Sequence, residues 1–563
     1  MLSAVLLLAV LLRAAENSAP DNVSAASSAD STTSPRGVPK PKYNSDDQSP
    51  PVARSIDLTN VDALTADELA ARIDAHLATA WKSANVASAP STTDSEFVRR
   101  IYLDLIGRIP SVAETLAFLD DTRAAKRQLL VDDLLQRGAW AAHFANTWRD
   151  LLLAGTNNPE LRAQTAALES WLRLRFAVNM PYDQLARELI TAEVRASQNA
   201  DPNEPSPAAF YQSAEFKPEL LAASTSRVFL GIQLQCAQCH DHPFASWKRQ
   251  QFWQFAAFLK DTQNESAEMA SPVANVLALL QDADSLKIPD TKIVVKPQFL
   301  DGSAPDFSSG QTKRNVLARW ITDQSNPWFA EAAVNRLWDH FFGRGLVSPV
   351  DHLDTAGPSS QPQLFDELSQ QFVLHGYDLK YIIRAITATD AYQRSSRQAA
   401  GVPADQQLAL FARMPLRRMS GDQLYASFVE ATGFQAPAAS NSPLADSSPR
   451  GDFQSRFNDS SVPRTDAPTT ILQALSVMNG KYVAGATDPK QSRIFAAIAD
   501  APYLDTAGRV DLLFLTALSR RPDDAERQTI TAYLGDAKSP DQRGALADVF
   551  WSLLNSAEFV LNH

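Results

Sequence analysis

Apolar residues at helical spacing recur along most of this 563-residue chain, and that periodicity leaves few fold classes open. In Leu64-Thr65-Ala-Asp-Glu68 a threonine N-cap is followed three positions later by glutamate, and Leu69, Ile73 and Leu77 then line one face. The next block, Phe97 to Leu105, closes at Gly107 with Pro110 shortly after. Ser111-Val-Ala-Glu114 caps another helix. Further amphipathic stretches cover 122–155, 166–177, 181–196, 217–235 and 246–260. Between 261 and 310 the pattern breaks, and Lys292 to Phe299 is the one convincing strand-like run, which Pro297 marks as an edge or short strand. Helical patterns resume at 312–322, 328–341, 361–375, 378–388, 406–413 and 420–432, and again at 468–480, 489–499, 507–519, 523–535 and 541–560. Residues 436–466, rich in Ser, Pro, Asp and Ala, read as a loop without fixed structure. The expected fold is mainly α: two packed helical modules with minor irregular or β elements at their junction. A hydrophobic fraction of 45% and ten tryptophans suffice for large cores.

The start of the chain bears on compartment. Met1 to Leu12 is a short apolar run, too short to span a bilayer and suited to the core of a secretory signal, although no basic segment precedes it. Residues 1–15 are therefore expected to be a signal peptide, and 16–55, poor in large apolar groups, a disordered linker. The expected layout continues with a helical module at 56–262, a connector at 263–310 and a second helical module at 311–563. No other run is long and apolar enough to predict a membrane span in the mature chain, so an extracytoplasmic location follows. The net charge of −12, from 52 basic and 64 acidic residues spread along the chain, offers no footprint for nucleic acid.

The chain's two cysteines fall in one run, Gly231-Ile-Gln-Leu-Gln-Cys236-Ala-Gln-Cys239-His240-Asp241-His242-Pro243-Phe244. Cys-x-x-Cys-His is the pattern through which c-type haem is attached: Cys236 and Cys239 would bond the two vinyl groups, and His240 would reach the iron. Zinc is the alternative, with Cys236, Cys239, His240 and His242 as ligands, although four ligands within seven residues hardly close a tetrahedron. A disulfide tying a tight turn is the plain structural reading.

If haem is bound, Met180, Met269, His340 and His352 are candidates for its remaining axial position, each set against an ordinary packing role. His143 and His375 are weighed in the same way. A second constellation, with Asn335, Arg336, Asp339, His340, Asp351, His352 and Asp354 in one helix-turn segment, could form a carboxylate–histidine site. The competing reading is a buried polar network that shapes Gly343-Arg-Gly345.

With these blocks laid out, the chain resembles a two-module family abundant in planctomycetes, its modules called DUF1549 (a cytochrome-like domain) and DUF1553. The first is marked by Phe97 to Pro110 and by Leu230 to Phe244, the second by Asn335 to Val347, His375 to Lys380 and Leu553 to His563. The resemblance implies that Cys236, Cys239 and His240 are a family motif, with His242 in the same run. The leading expectation is a secreted c-type cytochrome-like protein with one covalent haem, working in electron transfer with a redox partner protein. Two others stand beside it: an extracytoplasmic scaffold or binding module with zinc or a disulfide at the Cys-His run, and an extracytoplasmic enzyme with a His/Asp site in the second module.

Overall fold

A computed structural model describes residues 55–154, 162–193, 204–262, 285–355, 359–399, 401–434, 488, 490–535 and 542–563. The signal, most of the linker, Met269, the 436–466 loop and the 468–480 helix lie outside the described residues. Among the described residues the fold is mainly α, with two small two-stranded sheets. No described helix is long and apolar enough to cross a membrane.

Caps explain where many helices begin. Thr65 and Glu68 close a capping box on Ala66–Ala84, Ser111 and Glu114 close another on Val112–Leu119, and Ser420 and Gln423 a third on Gly421–Thr432. Asn326 accepts from the Trp328 amide ahead of Pro327, and the helix Pro327–Phe342 ends on Gly343 in the left-handed conformation. The structure divides some expected helices. The 122–155 stretch is two helices, Lys126–Gln136 and Gly138–Leu152, parted at Arg137 with extended backbone. The 217–235 stretch is a helix over Pro218–Thr225, a π turn over Ser226–Leu230 and a left-handed Gly231. Of the 292–299 strand only Val294–Val295 pairs, antiparallel with Leu286–Lys287.

Apolar residues gather into two cores that do not follow the order of the chain. The larger runs from Leu69 to Met414 and draws on both halves. The smaller joins Met419 to Phe559 with Leu103 and Ile109. The helix Asp94–Leu105 therefore lies between them, buried at every position from Phe97 to Leu105, Arg99, Arg100 and Asp104 included.

Those buried charges are the lock of the fold. Arg99 donates to the carbonyls of Ala517, Glu558 and Phe559. Arg100 donates to the carbonyls of Tyr392, Arg394 and His563 and pairs with Glu96 at 2.8 Å. Asp104 takes Arg417 at 2.8 Å, the Tyr392 hydroxyl at 2.8 Å and the Asn562 amide at 2.7 Å. Strand Arg417–Arg418 pairs antiparallel with Leu561–Asn562. Three segments distant in sequence thus close around one helix, and the charged ends of Arg99, Arg100 and Asp104 all find partners, as burial demands.

His563 makes this lock sensitive to acid. Burial, with Arg99 beside it, pushes its imidazole down to about 4. Unfolded, it titrates at about 6.5, so between those values the folded state binds fewer protons. Its contribution is full above about pH 6.5 and is lost as pH falls toward 4. The urea midpoint of the wild type is therefore expected to drop more between pH 7 and pH 5 than that of His563→Gln. Equal drops would show that His563 does not couple folding to pH.

Candidate functional site

The Cys-His run begins where the chain must reverse. Gly231 sits at φ +64°, and a Cβ there would lie 2.7 Å from the Leu353 side chain. Its carbonyl accepts from the Leu353 amide at 3.0 Å. Glycine is needed both for the left-handed backbone and for the close approach of the 351–355 loop. Beyond it, Leu234–Gln238 forms a 3₁₀ turn in which Leu234 and Ala237 are buried. Cys236 lies within this turn and Cys239 is the residue that ends it. Both are exposed free thiols, and His240 beside them is exposed as well.

The backbone of this turn is held from behind. The Gln238 carbonyl accepts from Trp253 Nε1 at 3.0 Å and from Arg249 Nε at 3.2 Å. Asp241 accepts from the Arg249 amide at 2.9 Å and pairs with Lys248 at 3.2 Å. That amide bond, aided by Lys248, holds its carboxyl below the usual carboxylate range. His240 Nδ1 lies 2.7 Å from the Asp241 carbonyl. A carbonyl only accepts, so the proton belongs on Nδ1 and the Nε2 lone pair is the basic one, the tautomer suited to a ligand.

His242 does a different job. Its Nδ1 accepts from the amides of Phe244 and Ala245 at 3.1 and 2.9 Å, and its own amide donates to the Trp247 carbonyl at 2.8 Å. Nδ1 is therefore committed to the turn, and ligation through it would break two backbone bonds. Burial pushes the His242 pKa down, with His352 and His240 adding to the effect and Asp354 opposing it.

Asp354 arrives from the second module. Its Oδ2 accepts from Trp247 Nε1 at 2.5 Å, while Oδ1 is buried with no hydrogen-bond partner among the described residues. Burial raises its carboxyl above the ordinary value against the pull of the Trp247 bond, His242 and His352. Trp247 also packs edge-on against Trp328. The Cys-His run is thus braced by the other half of the chain through Leu353, Asp354 and Trp328.

The structure splits the 335–354 constellation. His352, its Nδ1 3.1 Å from Thr355 Oγ1, stands with Asp354 and His242. His340 instead places Nε2 3.0 Å from the Asp104 carbonyl and packs against His143 and Phe144. Asp351 pairs with Arg336 at 2.7 Å and lies 3.7 Å from Arg227. Asn335 clamps the following turn, donating to the Val347 carbonyl at 2.8 Å and accepting from the Val347 amide at 3.0 Å. Much of this segment is therefore the polar network that shapes the turn. Met180 packs against the larger core, and His375 stacks on Tyr381. Among the described residues no three His, Cys, Asp or Glu side chains are gathered as a metal cage.

Sequence reasoning missed the Trp247–Asp354 link, because 107 positions separate its ends and neither carries a signal of the other. It also missed the Asp104 lock, although Arg99, Arg100 and Asp104 inside an apolar helix were the visible clue.

Residues 72–264 match the family model of the protein of unknown function DUF1549, PSCyt2, and residues 313–461 match that of the protein of unknown function DUF1553, PSD1. Together the two matches cover more than half of the chain. No curated protein and no solved structure matches it.

Proposed function

We propose that this chain, which belongs to the paired DUF1549 and DUF1553 family, is an extracytoplasmic c-type cytochrome-like protein. One haem is held on Cys236 and Cys239, with His240 as the proximal ligand, and the protein works in electron transfer. The observation that carries this reading is local: two exposed free thiols stand in and at the end of one 3₁₀ turn, and the next residue presents a histidine in the ligating tautomer. The donor set fits the group, since each thiol adds across one vinyl bond and the imidazole supplies a nitrogen lone pair. When bound, haem supplies one-electron redox chemistry at its iron.

The chain's own residues do the rest. Asp241, through its carbonyl, keeps the proton on Nδ1 of His240. Arg249 and Trp253 hold the Gln238 carbonyl and so fix the backbone between the two cysteines. Trp247 and Asp354 tie the turn to the second module, which gives that module a supporting role beside the redox group. The apolar Met1–Leu12 run supports export, and covalent haem attachment in bacteria takes place outside the cytoplasm.

The test is a pyridine haemochrome spectrum of the protein exported in a host with cytochrome c maturation, beside Cys236→Ala/Cys239→Ala. The expected result is a c-type band that survives acid–acetone extraction and disappears in the variant. A colourless wild type with one equivalent of zinc, or with a disulfide between the two cysteines, would sink the cytochrome reading.

A further inference from the structure

The surface beside the Cys-His turn differs in charge from the rest of the chain. The guanidinium of Arg249 donates both to the Gln238 carbonyl, between the two cysteines, and to the Pro289 carbonyl at 2.8 Å. Pro289 lies in the turn of the hairpin Leu286–Val295, so one side chain bridges that hairpin to the backbone of the Cys-His turn. In the hairpin, Ile288 and Val295 are buried, whereas Lys287, Lys292, Val294 and Lys296 are exposed. Lys287 is the register partner of Val294, and Lys292 and Lys296 lie within two positions of Val294 along the chain, each of the three exposed. Val294 is 58% exposed, Ile293 50% and Phe244, in the Cys-His run, 73%.

Segments 236–250 and 285–299 together hold five Lys or Arg against two Asp, in a chain whose net charge is −12. Protection of an exposed sheet edge accounts for a lysine or two. It does not account for large apolar side chains left open among them. An apolar centre ringed by cations, next to the redox-bearing residues, is the form of an electrostatically steered docking surface.

We propose that this hairpin face, resting on the haem reading above, docks an acidic one-electron carrier protein at the Cys236–Cys239 turn. Lys287, Lys292 and Lys296 steer the encounter, and Val294 and Phe244 make the apolar contact. One electron passes between the reduced and the oxidised partner, and no bond forms or breaks.

Two readouts test the surface, one independent of haem. In the reduced, haem-free full-length chain, the rates of thiol reaction with the dianion 5,5′-dithiobis(2-nitrobenzoate) and with cationic cystamine are compared at low salt, each relative to mercaptoethanol. A preference for the dianion is expected. It should fall about tenfold in Lys287→Glu/Lys292→Glu/Lys296→Glu and fade with added salt, as expected for charges within about a Debye length. Lys82→Glu/Arg123→Glu/Lys490→Glu, which changes the net charge equally at other exposed positions, should stay within about twofold of wild type. In the haem-loaded protein, electron exchange with an acidic blue-copper protein should slow with salt and with the hairpin triple variant. No preference for the dianion in the wild type, or faster exchange with a basic cytochrome than with the acidic carrier, would overturn the proposal. A missing haem band with the dianion preference intact would overturn the haem reading and the electron transfer that rests on it, while the thiol rates would still support the steering field of the hairpin.

Discussion

Arg417→Met is expected to destabilise the folded chain by about 3–5 kcal/mol, read as a lowered urea midpoint at pH 7. Asp104 and Arg417 are 1% and 3% exposed and 2.8 Å apart. Burial alone would raise the Asp104 carboxyl, yet Arg417, with help from Tyr392, holds it below its ordinary value. Removing the guanidinium leaves a carboxylate in a site with no access to water, and it strips the His340 carbonyl of its donor. The loss comes from the orphaned charge rather than from the value of the pair itself. Asp104→Asn/Arg417→Met, which removes both charges and keeps the shape, should therefore be more stable than Arg417→Met. A loss below about 1 kcal/mol in the single variant, or a double variant that is worse, would mean that this pair does not lock the two cores together.

Gly345→Ala should cost about 2–4 kcal/mol, a large effect for one methyl group. A Cβ at this position would lie 2.4 Å from the Val347 carbonyl oxygen and 2.7 Å from Asn335 Oδ1. Those two atoms belong to the Asn335 clamp, and Asn335 is fully buried. Backbone and amide cannot both give way, so at least one clamp bond must break with its partner left buried. Gly138→Ala is the comparison. Nothing lies within 4 Å of a Cβ there, and its φ is not positive, so that change should be neutral or slightly stabilising. If the two variants have the same midpoint, the Asn335 clamp contributes nothing to the fold.

The clamp also bears on the candidate site. The turn it shapes leads directly into Asp351, His352, Leu353 and Asp354, and through Leu353 and Asp354 it reaches Gly231 and Trp247. Gly345 therefore acts at a distance on the segment that braces the two cysteines. Damage there is expected to fall on the Cys-His turn without any change in that turn's own residues.

What the sequence by itself determined was local. Helices are legible because a 3.6-residue apolar period and an N-cap act within a dozen residues, as at Thr65 and Ser111. The Cys-His run was legible for the same reason, since its chemistry is held in five consecutive positions. Where the sequence reading overran, at Arg137 and at Gly231, the apolar pattern continued past a point where packing bent the chain. The Arg417–Arg418 and Leu561–Asn562 pair was invisible, being two residues long and joined to nothing nearby in sequence.

Only the tertiary structure decided how the distant pieces combine. It set Arg99, Arg100 and Asp104 against the chain's last residues, sent His340 and His352 to different neighbours, and laid a lysine-bearing hairpin beside the thiols. These outcomes depend on contacts across tens to hundreds of positions. They are chosen by which buried polar groups can be satisfied together, a condition on the whole fold that no local pattern encodes.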